Sequence, residues 1–175
     1  EPAIEARDAT IKRALRKTGL RAESFNGALL VEPWDVATKS GDPYKVFTPF
    51  WKAASARVRA ARLWDAPARL PAVAGASEAL DAVLPAPTPA WDQGFWSHWT
   101  PGEAGAREAL LAALPRIAAY PEARDLPAID GTSRLSPHLH FGELSPRQAL
   151  AAVRAATQPR VPAADLARFA TELGW

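Results

Sequence analysis

Two Ser-Pro steps in one short stretch, Ser136-Pro137 and Ser145-Pro146, limit the folding of this chain more than any other feature. A serine oxygen accepts backbone N–H bonds at a helix N-cap, and proline is pre-shaped for the first helical position. Each step therefore predicts the start of a short helix. The segment before the first step, Gly131-Thr132-Ser133-Arg134, combines a flexible glycine, two small hydroxyls and a guanidinium. Free N–H groups, hydroxyls and a cation at a helix start suit a phosphate. The same residues also fit two ordinary capped helices joined by a turn, and taken alone they leave both readings open.

The rest of the chain reads as a series of helices. Arg7–Thr18 predicts one, with Ile11 and Leu15 on one face, basic residues on the other and Gly19 as the stop. Ala28-Leu29-Leu30-Val31, an apolar run before Glu32-Pro33, predicts a short buried strand. Pro33–Pro43 reads as connector from its Pro, Gly and Ser content. Thr48-Pro49 is expected to cap a helix running through about Trp64, with Phe50, Ala54, Val58 and Ala61 on its apolar face. Lys52, Arg57, Arg59 and Arg62 mark a basic side that suits a solvated surface better than DNA. Ala66–Pro89, rich in Pro and Ala, reads as a long wrapping connector with a short helix over Ser77–Leu84.

Trp91, Phe95, Trp96 and Trp99 cluster around His98. Aromatic rings can stack on bases, but packing anchors for the long loop are the simpler expectation. Thr100-Pro101-Gly102-Glu103 predicts a capping box. The helix it opens should bury Leu110, Leu114 and Ile117, and Pro115 should kink or split it. Tyr120 follows just past its end. His138 and His140 form an H-x-H pair, but residues two apart on a helix face different sides, and no third ligand is near, so no metal site is expected. Pro146–Ala156 predicts a second short helix with Ala and Leu inside and Arg147 and Arg154 outside. Val161–Trp175 predicts the last, with Leu166, Phe169, Ala170 and Leu173 on its apolar face.

Composition adds limits rather than a function. The chain has 175 residues, 48% of them hydrophobic, and a net charge of only +2, which does not by itself argue for nucleic acid. Cys is absent, which removes disulfides, thiolate nucleophiles and thiolate metal sites. No apolar run is long enough to span a bilayer and no signal-peptide pattern is present, so a cytoplasmic protein with no membrane partner is expected. The absence of Met, even at position 1, reads as an internal piece of a longer polypeptide.

Three stretches, in order, resemble the DNA photolyase/cryptochrome family. Gly131-Thr132-Ser133-Arg134-Leu135-Ser136-Pro137, followed by Phe141-Gly142-Glu143-Leu144-Ser145-Pro146-Arg147, resembles its flavin-binding motif. Tyr44-Lys45-Val46-Phe47-Thr48-Pro49-Phe50 resembles the motif that opens its helical flavin domain. Glu172-Leu173-Gly174-Trp175 looks like the start of its lesion-contacting helix. The resemblance implies a mainly α fold: part of a helical FAD-binding domain over residues 44–175, with residues 66–99 as a wrapping linker. Residues 1–33 would be the last helix and strand of an α/β antenna domain, and residues 34–43 the connector.

By the same resemblance, Tyr120, Thr132, Ser133, Arg134, Leu135 and Ser136 contact the phosphate side of FAD. Arg124 and Trp175 contact DNA, the Trp175 indole against a flipped-out pyrimidine dimer. Glu172 is the catalytic carboxyl group, hydrogen-bonded to a lesion carbonyl when protonated or bridged. The implied activity is that of a deoxyribodipyrimidine photolyase, a lyase. Light-excited reduced FAD gives an electron to a cyclobutane pyrimidine dimer, the ring opens and the electron returns. A second antenna chromophore of unknown type is implied, although Ala3-Ile4 replaces the Asn-Glu pair of folate-antenna members. The partners implied are dimer-containing DNA and the remainder of the parent polypeptide, without which this piece is expected to bind FAD poorly and to repair nothing. A cryptochrome-type photoreceptor without repair is the alternative, and a cofactor-free helical or DNA-binding module is the third reading. Glu172 and Trp175 favour repair.

Overall fold

A computed structural model describes residues 2–58, 63–71, 75–84, 86–157 and 163–175. The described residues are mainly helical and contain no strand. The helices are α1 (Pro2–Lys17), α2 (Phe47–Ser55), α3 (Leu80–Val83), α4 (Gly102–Ala113), α5 (Tyr120–Ala123), α6 (Ser136–His140), α7 (Pro146–Thr157) and α8 (Ala163–Glu172).

The core lies in the second half of the chain. Ala106 and Leu110 from α4, Ile117, Tyr120 from α5, Leu135, Leu144, Ala149 and Val153 from α7, and Phe169 from α8 form one buried cluster. Pro115 splits the long helix as expected: α4 tightens into a 3-10 segment, Leu114–Ala119, before α5 begins. Proline removes one N–H and its ring crowds the preceding turn. The resulting bend lets α4, α5, α7 and α8 converge on Ile117, which is fully buried. The alternation expected for α7 holds for Ala149, Leu150 and Val153, which are buried, and for Arg154, which is exposed, whereas Arg147 is half-buried.

The two Ser-Pro steps behave differently. At the second, Ser145 and Gln148 form a reciprocal capping box. The Gln148 N–H donates to Ser145 Oγ (3.1 Å) and the Ser145 N–H donates to Gln148 Oε1 (2.9 Å). At the first, α6 opens on Ser136 itself, Leu135 is the cap residue, and no side chain caps it. The capping box expected at Thr100–Glu103 is likewise not made. Pro101 is the cap residue of α4, and the Gly102 N–H donates instead to Glu143 Oε1 at 2.7 Å. A carboxylate from another part of the chain thus satisfies one of the orphan donors at this helix start.

Three other expectations are corrected. Ala28–Val31 is not a strand: a strand needs a neighbour for its N–H and C=O groups, and none of the described residues supplies one. Asn26 brackets the run, its Nδ2 donating to the Leu29 carbonyl (3.0 Å) and its Oδ1 accepting the Leu29 N–H (2.9 Å). Leu30 is nonetheless buried, and Arg147 Nη2 donates to its carbonyl at 3.3 Å, tying the run to α7. Helix α2 starts at Phe47 with Val46 as cap residue and ends at Ser55, well short of Trp64. Pro49 thus sits in the first turn, where its missing N–H leaves no bond unmade. Arg59, Ala61 and Arg62 lie outside the described residues, as does Val161, the expected start of α8. Trp91, Phe95 and Trp96 are more than half exposed, Trp91 lying edge-on to Phe95 at 5.9 Å; Trp99 alone of the four rings is partly buried.

Helix α1 ends close to where expected but starts at Pro2, ahead of the expected Arg7, and Gly19, at φ +81°, stops it. It buries no residue, and Ile11 and Leu15 stay exposed. Helix α3 is a single turn within Ser77–Leu84.

Ser145→Ala removes one half of the α7 capping box and should cost about 1 kcal/mol of stability. Thermal unfolding of the purified variant beside wild type checks this, and Ser136→Ala, which removes no cap, should leave the unfolding temperature unchanged.

Candidate functional site

Gly131 is buried with its backbone pressed against α5. A Cβ placed there would lie 2.1 Å from the Ala123 carbonyl oxygen and 2.9 Å from the Ala123 Cβ, so only glycine fits. Just ahead of it Asp130 is anchored by Arg116, whose Nη1 lies 2.5 Å from Oδ2. At the far end of the segment Leu135 is buried in the core cluster that also holds Tyr120. Between these two anchors the chain is held outward. Thr132 and Arg134 are exposed, Ser133 is half-buried and Ser136 is exposed at the start of α6.

Arg134 has φ +56°, in the left-handed region that side chains with a Cβ avoid, and its guanidinium carbon lies 5.0 Å from the Trp99 ring centre. Strain of this kind costs about 1–3 kcal/mol and is retained where the surroundings impose it. The result is a row of two half-free or free hydroxyls, a third at Ser136 and a guanidinium, all displayed beside buried anchors. That donor set matches the oxygens of a phosphate or pyrophosphate.

Tyr120 is buried beneath this segment. Its ring meets Phe169 of α8 edge-on, with centres 5.5 Å apart, and the Arg124 guanidinium lies 5.6 Å from its centre. One turn along, Arg124 Nη1 forms an ion pair with Glu172 Oε1. That nitrogen is shielded from solvent and has the carboxylate as its counter-charge, without a hydrogen bond of good geometry. Arg124 Nε also reaches Asp125 (3.2 Å), and Arg168 lies 3.6 Å from Asp125 and 3.7 Å from Glu172. Glu172 therefore stands between two guanidiniums. Trp175 is apart from this charge cluster, stacked on Phe47 with ring centres 3.6 Å apart.

So the structure brings Arg124 and Glu172 into contact, places Tyr120 and Leu135 in one core, and displays Thr132, Ser133, Arg134 and Ser136 on the adjoining segment. The two histidines separate as the helix geometry requires. His140 is exposed with its ring against Phe141, whereas His138 is buried, its Nδ1 2.6 Å from Glu143 Oε2.

Sequence reasoning missed that His138–Glu143–Gly102 tie. Glu143 accepts from the His138 ring and from the Gly102 N–H, and so fastens the turn after α6 to the start of α4. The histidine bond first, and the backbone N–H second, hold the Glu143 carboxyl below its ordinary value of 4.5. It also missed Arg168. Only a helix-face reading of Arg168 and Glu172, four apart on α8, was available as a signal.

Known proteins resemble this chain over most of its length. Residues 1–74 match the family model for DNA photolyase. A deoxyribodipyrimidine photo-lyase of Agrobacterium fabrum is 40% identical over the whole chain, which covers 37% of that protein. One from Synechococcus is 37% identical over 89% of the chain and 34% of its own length. Cryptochrome-2 of Arabidopsis thaliana is 29% identical over 88% of the chain and 26% of its own length. A crystal structure of a bacterial class III photolyase from Agrobacterium tumefaciens superposes with a TM-score of 0.81 at 38% identity, covering 97% of this chain and 36% of that one. The chain belongs to the DNA photolyase/cryptochrome family. It spans about a third of the length of these relatives.

Two predictions follow from the geometry. Gly131→Ala should overpack the contact with Ala123 and cost about 1–3 kcal/mol, read by chemical denaturation. Glu143 has a lowered folded pKa, so its contribution is fully present above its ordinary value of 4.5 and is lost as pH falls through the lower folded value. The acid limb of stability against pH should therefore flatten in Glu143→Gln, measured by urea unfolding between about pH 6 and pH 2.5, a span that brackets the ordinary carboxylate range.

Proposed function

We propose that this chain is part of a light-driven DNA repair enzyme that splits cyclobutane pyrimidine dimers, with FAD as its cofactor. The observation that carries the reading is the row Thr132, Ser133 and Arg134 between the buried Gly131 and Leu135, with Ser136 just beyond; all but the half-buried Ser133 are exposed. These donors fit the pyrophosphate of a dinucleotide such as FAD. Reduced FAD, when bound, supplies the light-driven electron transfer; the chain's own residues bind, orient and shield.

In this reading Tyr120, Thr132, Ser133, Arg134, Leu135 and Ser136 hold the phosphate side of the cofactor. Tyr120 and Leu135 act by shaping the wall, since both are buried. Arg124 and Trp175 meet the DNA, and Glu172 faces the lesion. The Trp175 indole, 77% exposed, offers an open face to an extruded dimer. Glu172 is paired with Arg124 in the absence of DNA. Engagement of Arg124 by a DNA phosphate would release that carboxyl toward the lesion carbonyl. The remainder of the parent polypeptide completes the cofactor and DNA surfaces. An antenna chromophore is part of the proposal, its type open. Among the described residues no helix is long and apolar enough to cross a membrane.

A cryptochrome-type photoreceptor is the second reading, favoured by the similarity to Cryptochrome-2. The test is repair of a thymine-dimer oligonucleotide by the full-length, flavin-loaded polypeptide under blue light, with a dark control and a Trp175→Ala variant. Repair only in the light is expected, with dimer affinity about ten- to a hundred-fold lower in the variant, the scale of one lost base stack. A protein that carries reduced FAD and repairs nothing would sink the proposal in favour of the photoreceptor.

A further inference from the structure

The Trp175 ring is neither free nor buried. One face lies flat on Phe47, the first residue of α2, with centres 3.6 Å apart and planes 9° from parallel. The residue is 77% exposed all the same, so its other face is open. Phe47 is itself held: its plane is 7° from that of Trp51 at 6.2 Å, and Phe50 lies 6.1 Å away at 49°. Trp51 in turn presses on the residue next to Trp175. A Cβ on Gly174 would come within 2.4 Å of two Trp51 ring atoms, so a side chain there would displace the ring or the backbone. The segment Phe47–Trp51 thus grips the chain at Gly174 and supports the indole at Trp175.

We propose that Phe47 is a positioning residue for Trp175: it backs one face of the indole so that the opposite face is presented, already fixed, to the apolar side of an extruded pyrimidine dimer. The inference rests on the repair reading above and adds a residue to it. An unsupported indole would lose rotamer freedom on stacking with a base. One already stacked on a held phenyl ring has lost that freedom beforehand, and binding keeps more of the stacking energy. The backing ring need not touch the lesion. Its effect should appear in the preference for damaged over undamaged DNA, because only damaged DNA supplies the extruded pyrimidines.

The test uses the full-length, flavin-loaded polypeptide in the dark, titrated with a single-stranded thymine-dimer oligonucleotide and its undamaged twin. Phe47→Leu should lower the ratio of the two affinities about two- to ten-fold, the range of one aromatic pair. Affinity for undamaged DNA should stay as in wild type, and Phe47→Tyr should restore the ratio. In a Trp175→Ala background Phe47→Leu should have no further effect on the ratio. Acrylamide quenching of the Trp175 emission, taken as the difference from Trp175→Phe, should rise in Phe47→Leu. Equal ratios in wild type and Phe47→Leu would overturn the inference while leaving the repair reading standing. A parallel fall of both affinities together with the unfolding temperature would also overturn it, as a purely structural role. Unchanged quenching would overturn it whatever DNA is bound. A wild type that repairs nothing and prefers no lesion would sink the repair reading, and with it the lesion role given to Phe47.

Discussion

The edge-on contact between Tyr120 and Phe169 sets the geometry of everything around it. It joins α5, which has only one turn, to α8, and both rings are buried in the common core. Arg124 follows Tyr120 by four residues and Glu172 follows Phe169 by three, so each lies on the same face as its ring. Fixing the two rings therefore fixes which guanidinium meets which carboxylate. A four-residue helix has no stability of its own. Its position is held by this contact, by the 3-10 segment before it and by Gly131 against its last residue.

The Gly131–Ser136 segment works by alternation. Buried anchors at Gly131 and Leu135 enclose residues turned outward, and the left-handed backbone at Arg134 marks where the chain reverses to begin α6. The five residues of α6 contribute little dipole, so recognition of an anion there depends on hydroxyls and a guanidinium more than on the helix end. The neighbouring Glu143 serves a different end. It binds His138 and the start of α4, and so gives the segment a rigid floor.

The first half of the chain is held more loosely to this core. Helix α1 buries nothing, and the Pro- and Ala-rich stretch before α4 exposes Leu70, Leu80, Leu84 and Trp91. Two of its ties to the second half are specific: Arg147 on the Leu30 carbonyl and the aromatic grip of Phe47 and Trp51 on Gly174 and Trp175. Both join residues far apart in sequence, so the N-terminal segments reach the proposed lesion face without sharing its core.

Much was legible from local chemistry. The α7 start was readable because Ser145, Pro146 and Gln148 cap within one turn. The α4 break was readable because Pro115 cannot continue the ladder. The Gly131–Ser136 segment stood out because its order matches a known pattern. What could not be read were decisions made by distant partners. Ala28–Val31 has strand-like residues and no strand to pair with. The start of α4 is capped at Gly102 by the distant Glu143 rather than by a local Thr100–Glu103 box, and Arg124 meets Glu172 and Trp175 meets Phe47 across the fold. Helix starts, stops and apolar faces depend on a few neighbouring residues and belong to the sequence itself. The pairing of charges and rings depends on how the bend at Pro115 and the Tyr120–Phe169 contact bring remote segments together, and only the tertiary structure decides that.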